Sequence, residues 1–299
     1  MFHVEQLNLI MAKIIAICNQ KGGTGKTTTS INLAVYLALE GARTLLIDAD
    51  PQGNSTSGLG IDKNNLDKSL YYLLLNSLDI KETILKTEID NLSIIPSNID
   101  LIGAEVELIQ EVDREQRLKR ALKAIDSDYD FIIIDSPPSL GILTLNALVS
   151  ATSVLIPVQC EYYALEGLGQ LSKTIHLIQE QLNPALRVEG VLLTMADFRT
   201  NLTNEVITET RNFFNNKVFE TIIPRSIKLS EAPGFGKPIY FYDKNSIGAQ
   251  KYCALAKEVL AQALKEEDEK RRLLEEAQSG ISGEQIISEA DPVQDNSPA

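Results

Sequence analysis

The stretch Gln20-Lys21-Gly22-Gly23-Thr24-Gly25-Lys26-Thr27-Thr28 is a glycine-rich turn that ends in Gly-Lys-Thr. The apolar run Lys13–Cys18 before it is typical of a buried strand, and Thr27–Glu40 after it is typical of a helix closed by Gly41. Glycines between a strand and a helix let backbone N–H groups surround phosphate oxygens, and the helix N-terminus adds partial positive charge. The stretch therefore predicts a phosphate-binding loop, in which Lys26 reaches the β- and γ-phosphates and the Thr27 hydroxyl binds Mg²⁺.

The loop departs from the usual phosphate-loop pattern at its first two positions. That pattern has glycine where this chain has Gln20, and it leaves the next position free, where this chain has a second lysine, Lys21. A chance glycine-rich turn is the alternative interpretation, and the flanking strand, helix and Gly-Lys-Thr run disfavour it. We expect the nucleotide to contact Lys21, Gly22, Gly23, Thr24, Gly25, Lys26, Thr27 and Thr28.

Three aspartates follow predicted strands. Asp48 and Asp50 lie at the end of the run Arg43–Asp48, and Asp135 closes the run Phe131–Asp135. Ligands collect at the carboxyl ends of strands in doubly wound sheets, so an acid there can orient a water on the γ-phosphate or hold magnesium. The alternatives are a surface turn at Asp-Pro and a strand-end cap at Asp135.

Apolar runs without polar alternation recur along the chain, each with a helical pattern nearby. The predicted strands after the first are Arg43–Asp48, Asn91–Pro96, Phe131–Asp135, Ser153–Val158, Val188–Met195 and Val218–Ile223. Further helices are predicted over Glu115–Ile125, Leu165–Leu182, Thr203–Phe214 and Ile247–Lys265, and a loop over Ala49–Gly60. Such a pattern predicts an α/β fold with a doubly wound, mostly parallel sheet and helices on both faces.

Composition narrows the function classes. The chain has 299 residues with 28 basic and 41 acidic side chains, and its net charge of -13 excludes a uniformly basic nucleic-acid coat but allows a local basic patch. The segment Arg187–Lys251 is such a candidate, with 9 basic and 7 acidic residues. Three scattered cysteines, Cys18, Cys160 and Cys253, predict reduced, buried thiols in a cytosolic protein and disfavour a disulfide framework or a zinc site. With His3 and His176 as its only histidines, Ser-His chemistry and a His-rich metal site are disfavoured.

The globular domain is predicted to span residues 13–265. Residues 1–12 form an N-terminal extension without signal-peptide character, which is either functional or the result of a start assigned ahead of Met11. Residues 266–299 form an acidic tail that opens as a charged helical continuation and is predicted to be disordered in its second half. The chain contains no run of 18 apolar residues, so no membrane-spanning helix is expected.

Five segments together resemble the ParA/Soj chromosome-partitioning ATPases, and the resemblance covers about Lys13 to Ala263. They are Lys21–Thr28, Leu45–Asn54 (LLIDADPQGN), Ile132–Ser139 (IIIDSPPS), Val158–Gly167 (VQCEYYALEG) and Ile223–Pro233 (IPRSIKLSEAP). The phosphate loop alone would indicate only the wider deviant-Walker group of P-loop NTPases, and the other segments narrow it to the Soj type. The resemblance implies that residues 13–265 are an ATPase domain with ATP and Mg²⁺ as cofactors.

The resemblance also implies roles for individual residues. Lys21 matches the signature lysine that crosses a homodimer interface to the partner's phosphates, and Gly23 matches a glycine that faces the incoming subunit. Asp50 matches the acid that positions the attacking water, so Lys21, Lys26 and Asp50 are the expected catalytic residues. The expected metal-site residues are Thr27, Asp48 and Asp135. A lower-ranked expectation places Pro224 and Arg225 against the adenine base.

For the family's DNA function, the matching basic residues are Arg199 and Lys228, with Arg225 and Lys237 as neighbours. Contacts to phosphates position a protein without reading sequence, so non-specific, salt-sensitive binding to double-stranded DNA is expected. The alternative is that these are solvated surface charges. The family further implies slow hydrolysis that DNA and a ParB-type, centromere-binding partner stimulate, and a cytoplasmic location at the nucleoid. Whether the chain serves a chromosome or a plasmid stays open.

Three other functions compete with this interpretation. A MinD-like membrane-positioning ATPase needs a basic amphipathic terminal helix, whereas the segment after Lys265 is acidic. An electron carrier like the nitrogenase iron protein needs cluster-ligating cysteines, which the chain's spacing does not supply. A metabolic kinase is left open, without an acceptor-substrate motif. Glu161, Tyr162 and Tyr163 are interpreted as the start of a helix beside the nucleotide pocket.

Overall fold

A seven-stranded sheet forms the centre of the computed structural model, which describes residues 9–161 and 164–284 without the side chains of 164–168 and 277–284. Six strands run parallel to one another, and the short edge strand β3 pairs antiparallel with β4. The strand order is β3-β4-β2-β5-β1-β6-β7. The strands are β1 Lys13–Ile17, β2 Thr44–Asp48, β3 Leu85–Lys86, β4 Leu92–Ile95, β5 Phe131–Asp135, β6 Ser153–Gln159 and β7 Arg187–Thr194.

The three central strands carry the core. Every residue of β1, β2 and β5 is buried, so both faces of the sheet are covered, which explains why their sequences lack polar alternation. The register pairs Ile17 with Asp135 across β1 and β5, and Asp48 with Asp135 across β2 and β5. The carboxyl ends of these strands therefore meet at one edge of the sheet.

Helices connect the strands and confirm most of the predicted segments within one or two residues. The longer ones are α1 Lys26–Leu39, α7 Ile142–Ser150, α8 Ala164–Gln181, α9 Asn201–Phe214 and α12 Ile247–Glu284. The shorter ones are α2 Asn54–Gly58, α3 Leu70–Leu74, α4 Ile80–Thr83, α5 Leu101–Glu107, α6 Arg117–Leu122, α10 Ile227–Glu231 and α11 Ile239–Asp243. Single 3₁₀ turns cover Leu108–Gln110, Arg114–Gln116, Lys123–Ile125, Asn215–Lys217 and Ala232–Phe235.

The predicted strand Val218–Ile223 is wrong. This segment runs beside β7 and makes only two isolated bridges, Val191 with Val218 and Ala196 with Pro224. The N–H groups of Phe219 and Ile223 donate to the Val191 and Leu193 carbonyls of β7, but between them the N–H groups of Glu220 and Thr221 donate to the Glu258 carboxylate, so no continuous ladder forms. Apolar character alone therefore did not decide strand formation here.

Two further differences from prediction concern the ends of segments. The predicted loop Ala49–Gly60 contains the helix α2, which follows Gly53 with its left-handed backbone (φ 59°). The helix α12 continues past the predicted Lys265 end to Glu284, as expected for a tail that opens with a helical continuation. Ion pairs at i, i+4 spacing, Glu267–Arg271 and Arg272–Glu276, support that extension.

Two compact units make up the chain, Met1–Val259 and Leu260–Ala299. Within the second unit the described residues 260–284 are helical, so the helix extends seven residues into the part after Ala277 predicted to be disordered, and residues 285–299 lie outside the described residues. The predicted N-terminal extension is described only from residue 9 onward. Among the described residues, every helix is too short or too polar to span a bilayer.

Candidate nucleotide-binding site

The glycine-rich loop leaves β1 and enters α1 at the carboxyl edge of the sheet. Gly23 and Gly25 have left-handed backbones (φ 75° and 88°), which glycine adopts without the steric penalty of a Cβ. A Cβ at Gly22 or Gly23 would meet no atom within 4 Å, so the loop has open space on that side. The loop and helix N-terminus therefore form a cradle of backbone N–H groups suited to an anion such as a phosphate.

Lys26, the first residue of α1, points back into this loop. Its side chain is buried, with 7% of the residue exposed, and its Nζ donates to the Lys21 carbonyl oxygen at 3.2 Å. Burial lowers the pKa of Lys26, and the negative charges of Asp135 and Asp50 partly offset that effect. A buried ammonium whose partner within the loop is a neutral carbonyl is well suited to pair with phosphate oxygens.

Asp48 and Asp135 form a buried acidic pair on neighbouring strands. Both residues are fully buried. Asp135 accepts from Ser30 Oγ at 2.9 Å, from Ser55 Oγ at 2.8 Å, and from the Thr27 hydroxyl. Desolvation raises the pKa of both carboxyls, and the charge of Asp135 raises the pKa of Asp48 further.

This pair fits a divalent cation. A cation between the carboxyls would remove the cost of two adjacent buried negative charges, and carboxylate and hydroxyl oxygens are the ligands that Mg²⁺ prefers. Thr27 lies at the start of α1, where its hydroxyl already contacts Asp135. The donor set of Thr27, Asp48 and Asp135 therefore has the right chemistry for a magnesium ion bound beside phosphates.

Asp50 lies two residues beyond β2, on the path from the acidic pair to the loop. Only 8% of it is exposed, and its Oδ1 accepts from the Gln52 N–H at 2.9 Å. Its backbone carbonyl accepts from Ser97 Oγ at 2.9 Å, and its N–H donates to Asp48 at 3.3 Å. The Gly53 N–H also donates to the Asp50 carbonyl at 2.9 Å, so three bonds hold the backbone of Asp50 and one, from Gln52, holds its carboxylate in place, as a group that orients a water molecule requires.

Lys21 lies at the surface of the loop and not inside it. Its side chain is 39% exposed, and its Nζ is 3.6 Å from Glu161 Oε2. Arg225 lies 3.6 Å from the other oxygen of the same carboxylate. An exposed ion pair of this length contributes little to stability, so Lys21 is held loosely and can reach other anions.

Comparisons with known proteins agree with this geometry. The family model described as "AAA domain" matches residues 12–188. The chain is 58% identical over 251 residues to the sporulation initiation inhibitor protein Soj of Bacillus subtilis, covering 84% of this chain and 99% of that protein. It is 55% identical to the chromosome partitioning protein ParA of Myxococcus xanthus, covering 84% and 88%. The chain belongs to the ParA/Soj family of chromosome-partitioning ATPases.

A solved structure that contains an ATP analog supports the fold of this ParA/Soj chain and ATP and Mg²⁺ as its cofactors. It is described as cobyrinic acid a,c-diamide synthase from Mycobacterium smegmatis with bound ATP analog and magnesium. It is 38% identical, has a TM-score of 0.74, and covers 83% of this chain and 94% of that one. The identity to the chromosome-partitioning proteins is higher, so their family describes this chain better.

Several supporting residues of the site were not found from the sequence. Asn19 accepts from the Lys21 N–H at 3.0 Å and donates to the Pro157 carbonyl at 2.7 Å, which ties the loop to β6. Thr194, at the end of β7, donates to the Thr24 carbonyl at 2.9 Å. Thr56 donates to Asp48 at 2.7 Å through its hydroxyl and at 2.8 Å through its N–H. The only signal for them in the sequence is their position at strand ends or just after DPQGN, and that position does not identify their partners.

The four basic residues expected at DNA are placed after β7 and around α10. Arg199 forms a double hydrogen bond to Asp197, at 2.7 and 2.6 Å, and Arg225 contributes its positive charge to the same carboxylate. These contacts with Arg199 and Arg225 lower the pKa of Asp197 to about 2. Lys228 lies 3.5 Å from Glu231 and 5.5 Å from the centre of the Tyr242 ring. The structure thus brings Arg199 and Arg225 together, whereas no described contact joins Lys237 to them.

The remaining predicted residues fall into three groups. Pro224 bridges to Ala196 just beyond β7, beside the strand whose Thr194 supports the loop. Cys18 and Cys160 are buried, as predicted, and burial raises the pKa of each thiol to about 11, whereas Cys253 is only partly buried, contrary to the prediction. Tyr162 and Tyr163 lie outside the described residues.

Proposed function

We propose that this chain is an ATP-dependent partition ATPase that works as a nucleotide-switched homodimer. In the proposed cycle, two copies close around ATP and Mg²⁺, and the dimer binds double-stranded DNA without sequence preference. A ParB-type, centromere-binding partner then stimulates hydrolysis and releases the dimer, which drives chromosome or plasmid segregation. The membership in the ParA/Soj family and the composition of the loop support this proposal.

Nucleotide binding is assigned to the loop and its acidic neighbours. The N–H groups of Gly22 to Thr28 would surround the phosphates, with Lys26 on the β- and γ-phosphates. Thr27 and Asp135 would hold Mg²⁺ with support from Asp48, and the ion would neutralise charge that develops on the transferred phosphoryl group. Relatives crystallised with ADP or an ATP analog and magnesium support this assignment.

Hydrolysis is assigned to Asp50 together with a lysine from the second copy. Asp50 is fixed by four hydrogen bonds close to the acidic pair, so it can orient a water on the γ-phosphate. Lys21 is exposed and loosely paired, which suits a side chain that leaves its own subunit. Crossing to the partner's phosphates would supply the transition-state charge that an arginine finger supplies in other NTPases.

DNA binding is assigned to Arg199, Arg225 and Lys228, with Lys237 as an outer member. Each of the first three lies beside a carboxylate: Arg199 beside Asp197, Arg225 beside Glu161, and Lys228 beside Glu231. DNA phosphates would have to compete with these exposed pairs, which cost little to break. Binding is therefore expected to be weak for one copy and to gain from the two sets of charges in a dimer.

The DNA function is tested by binding of the purified chain to random-sequence duplex DNA with ATP, ADP or no nucleotide. Asp50→Ala should keep ATP-dependent binding because it stops hydrolysis, and Lys228→Glu should weaken binding at least tenfold through charge reversal. Lys123→Glu is the matched control. Lys123 is exposed and lies in a 3₁₀ turn that precedes the amino end of β5, whereas the nucleotide site lies at the carboxyl end of that strand. A steep loss of affinity with salt is expected.

Two results would count against parts of the proposal. If ATP forms the dimer but no nucleotide state binds DNA, the switch remains and the DNA function is wrong. If Lys123→Glu weakens binding as much as Lys228→Glu does, the effect is one of overall charge and the assigned surface is wrong. The predicted place of action is the cytoplasm, at the nucleoid.

A further inference from the structure

Five aliphatic side chains form an exposed stripe that the nucleotide site does not use. They are Ile99, Ile102, Val106, Ile109 and Val112, with exposed fractions of 60%, 46%, 65%, 61% and 81%. We call this set the α5 stripe, because it follows α5 and the 3₁₀ turn behind it. Exposed aliphatic residues grouped in this way mark interaction sites more often than single ones do.

The spacing of the stripe shows that it is one face of the segment. Ile102, Val106 and Ile109 lie on α5 and the 3₁₀ turn, three or four residues apart, which is the spacing of one side of a helix, whereas Ile99 precedes and Val112 follows these helical residues. The opposite side of the same segment is the core side, since Leu101, Ala104 and Leu108 are fully buried. The segment is therefore apolar on two sides, and only one of them is covered within the described residues.

The charges around the stripe restrict what can cover it. Residues 99–113 contain five carboxylates and no lysine or arginine, the acids being Asp100, Glu105, Glu107, Glu111 and Asp113. Glu111 and Asp113 are paired with Arg117 and Arg120, which leaves the acids nearer α5 without a described cationic partner. A second copy facing the stripe with its own stripe would bring like charges together. Residues 1–8 and 285–299 contain no lysine or arginine, so this chain's own ends lack complementary charge.

The stripe is physically linked to the nucleotide site at its start. Ile99 follows Ser97, whose hydroxyl donates to the Asp50 carbonyl at 2.9 Å. Glu105 lies beside the loop that leaves β5 after Asp135, since a Cβ at Gly141 would be 2.6 Å from Glu105 Oε1. The segment that carries the stripe therefore contacts Asp50 through Ser97 and approaches the loop after Asp135 through Glu105.

Near its far end, the stripe approaches a cleft. The cavity measures about 500 Å³, and its lining includes Leu73, Leu78 and Ile80 together with Arg117 and Arg120. Those two arginines hold Glu111 and Asp113, the neighbours of Val112 in the chain. The far end of the stripe is therefore connected to a partly apolar cleft through two ion pairs.

We propose that the α5 stripe is a docking surface for a cationic amphipathic helix of a partner protein. The apolar side of that helix would cover the stripe, and its lysines or arginines would face the acidic rim, in the manner of helix-in-groove recognition. The proposal rests on the proposed function only in that the partner is expected to act on the ATPase. Binding to the stripe is a separate property and does not require DNA.

The test measures binding of three synthetic peptides of about 18 residues to the full chain by fluorescence anisotropy. One peptide has leucines on one helical face and lysines on the other, the second has the same composition in scrambled order, and the third has glutamates in place of the lysines. The chain variants are the double substitution Val106→Ser with Ile109→Ser, the double substitution Asp100→Asn with Glu107→Gln, and Leu177→Ser as a control on α8. Leu177 is 53% exposed, so the control removes an equally accessible aliphatic side chain elsewhere.

The patterned lysine peptide should bind at least tenfold more tightly than either of the other two. The stripe variant should lose tenfold or more of that affinity, since each buried aliphatic group contributes strongly to association. The Asp100/Glu107 variant should lose a smaller factor that shrinks with added salt. Hydrogen exchange of the complex should show protection over residues 99–112.

Either of two results would overturn the proposal. Equal binding of the scrambled and patterned lysine peptides would mean attraction to the chain's net negative charge. Tight patterned binding that survives the stripe variant, or protection elsewhere in the chain, would mean a different surface. Because none of these readouts uses ATP or DNA, they stay interpretable if the partition function itself is wrong.

Discussion

Replacing Thr56 with valine tests whether the hydroxyl network beneath the acidic pair holds the site together. Thr56 is fully buried, its hydroxyl donates to Asp48 at 2.7 Å, and it accepts from the Ser97 N–H at 2.9 Å. Valine has nearly the same shape, so Thr56→Val creates no cavity but leaves the Ser97 N–H without this acceptor. It also removes one of the two donors that Thr56 gives to Asp48.

The expected loss follows from those two bonds. An orphaned buried N–H costs about 1–3 kcal/mol and a hydrogen bond to a carboxylate contributes about 1.5–3 kcal/mol, with overlap between the two. Thr56→Val should therefore lower the free energy of unfolding by about 2–4 kcal/mol, which corresponds to about 4–16 °C in Tm for a domain of this size. Urea unfolding followed by circular dichroism measures the first quantity and calorimetry the second.

Thr56→Ser is the matched control, because it keeps the hydroxyl and loses only a methyl group. It should cost about 1 kcal/mol, mostly from the lost packing. The Thr56 bonds also hold the pKa of Asp48 down against the effect of burial, so the cost of Thr56→Val should be larger near pH 8 than near pH 5. If the valine variant is as stable as the serine variant at both pH values, the network does not stabilise the site.

Three further predictions follow from single positions. A Cβ at Gly23 meets no atom within 4 Å and the φ of Gly23 is 75°, so Gly23→Val should lower the free energy of unfolding by only about 1–2 kcal/mol. The variant should nevertheless lose ATP-dependent dimerisation, measured by light scattering, and a stable dimer would contradict the assigned interface. Burial raises the pKa of Cys18 and Cys160 to about 11, so a thiol reagent at pH 8 should modify Cys253 first. The other two should react only as the pH nears 11 or the chain unfolds, and rapid modification of all three thiols in the native chain would be inconsistent with this structure. A Cβ at Gly190 would lie 2.5 Å from the buried ring of Phe219, so Gly190→Ala should lower the free energy of unfolding measured in urea by about 1–3 kcal/mol. Gly169→Ala within α8 should instead raise it by up to about 1 kcal/mol, and equal effects of the two substitutions would refute the clash.

The fold could be predicted from the sequence wherever a continuous apolar run marked a buried strand. The buried runs that became β1, β2 and β5 are continuous and apolar on both sides, so only a covered parallel strand accommodates them. The phosphate loop and the aspartates at the ends of β2 and β5 could be predicted equally well from the sequence, because their positions follow once the strands are placed. The structure places all of these residues at one edge of the sheet.

The rest depended on contacts between distant segments. Val218–Ile223 has the composition of a strand, and Glu258 on α12 takes its backbone donors. The supports Thr56, Ser97 and Thr194 have no local pattern of their own, since each is defined by the partner it meets across the sheet. Local sequence rules describe the strands well and the side-chain network poorly, because the network is long-range.

The charges of the site give a physical reason for the proposed homodimer. Three aspartates, Asp48, Asp50 and Asp135, converge on the loop, and Lys26 is the cation that the loop buries among them. A bound triphosphate adds further negative charge, which Mg²⁺ offsets only in part. A site of this kind favours hydrolysis when another cation arrives, and Lys21 is the exposed, loosely held lysine at its rim. Supplying that lysine from a second copy would make hydrolysis conditional on assembly, which is the behaviour that a nucleotide-switched partition protein requires.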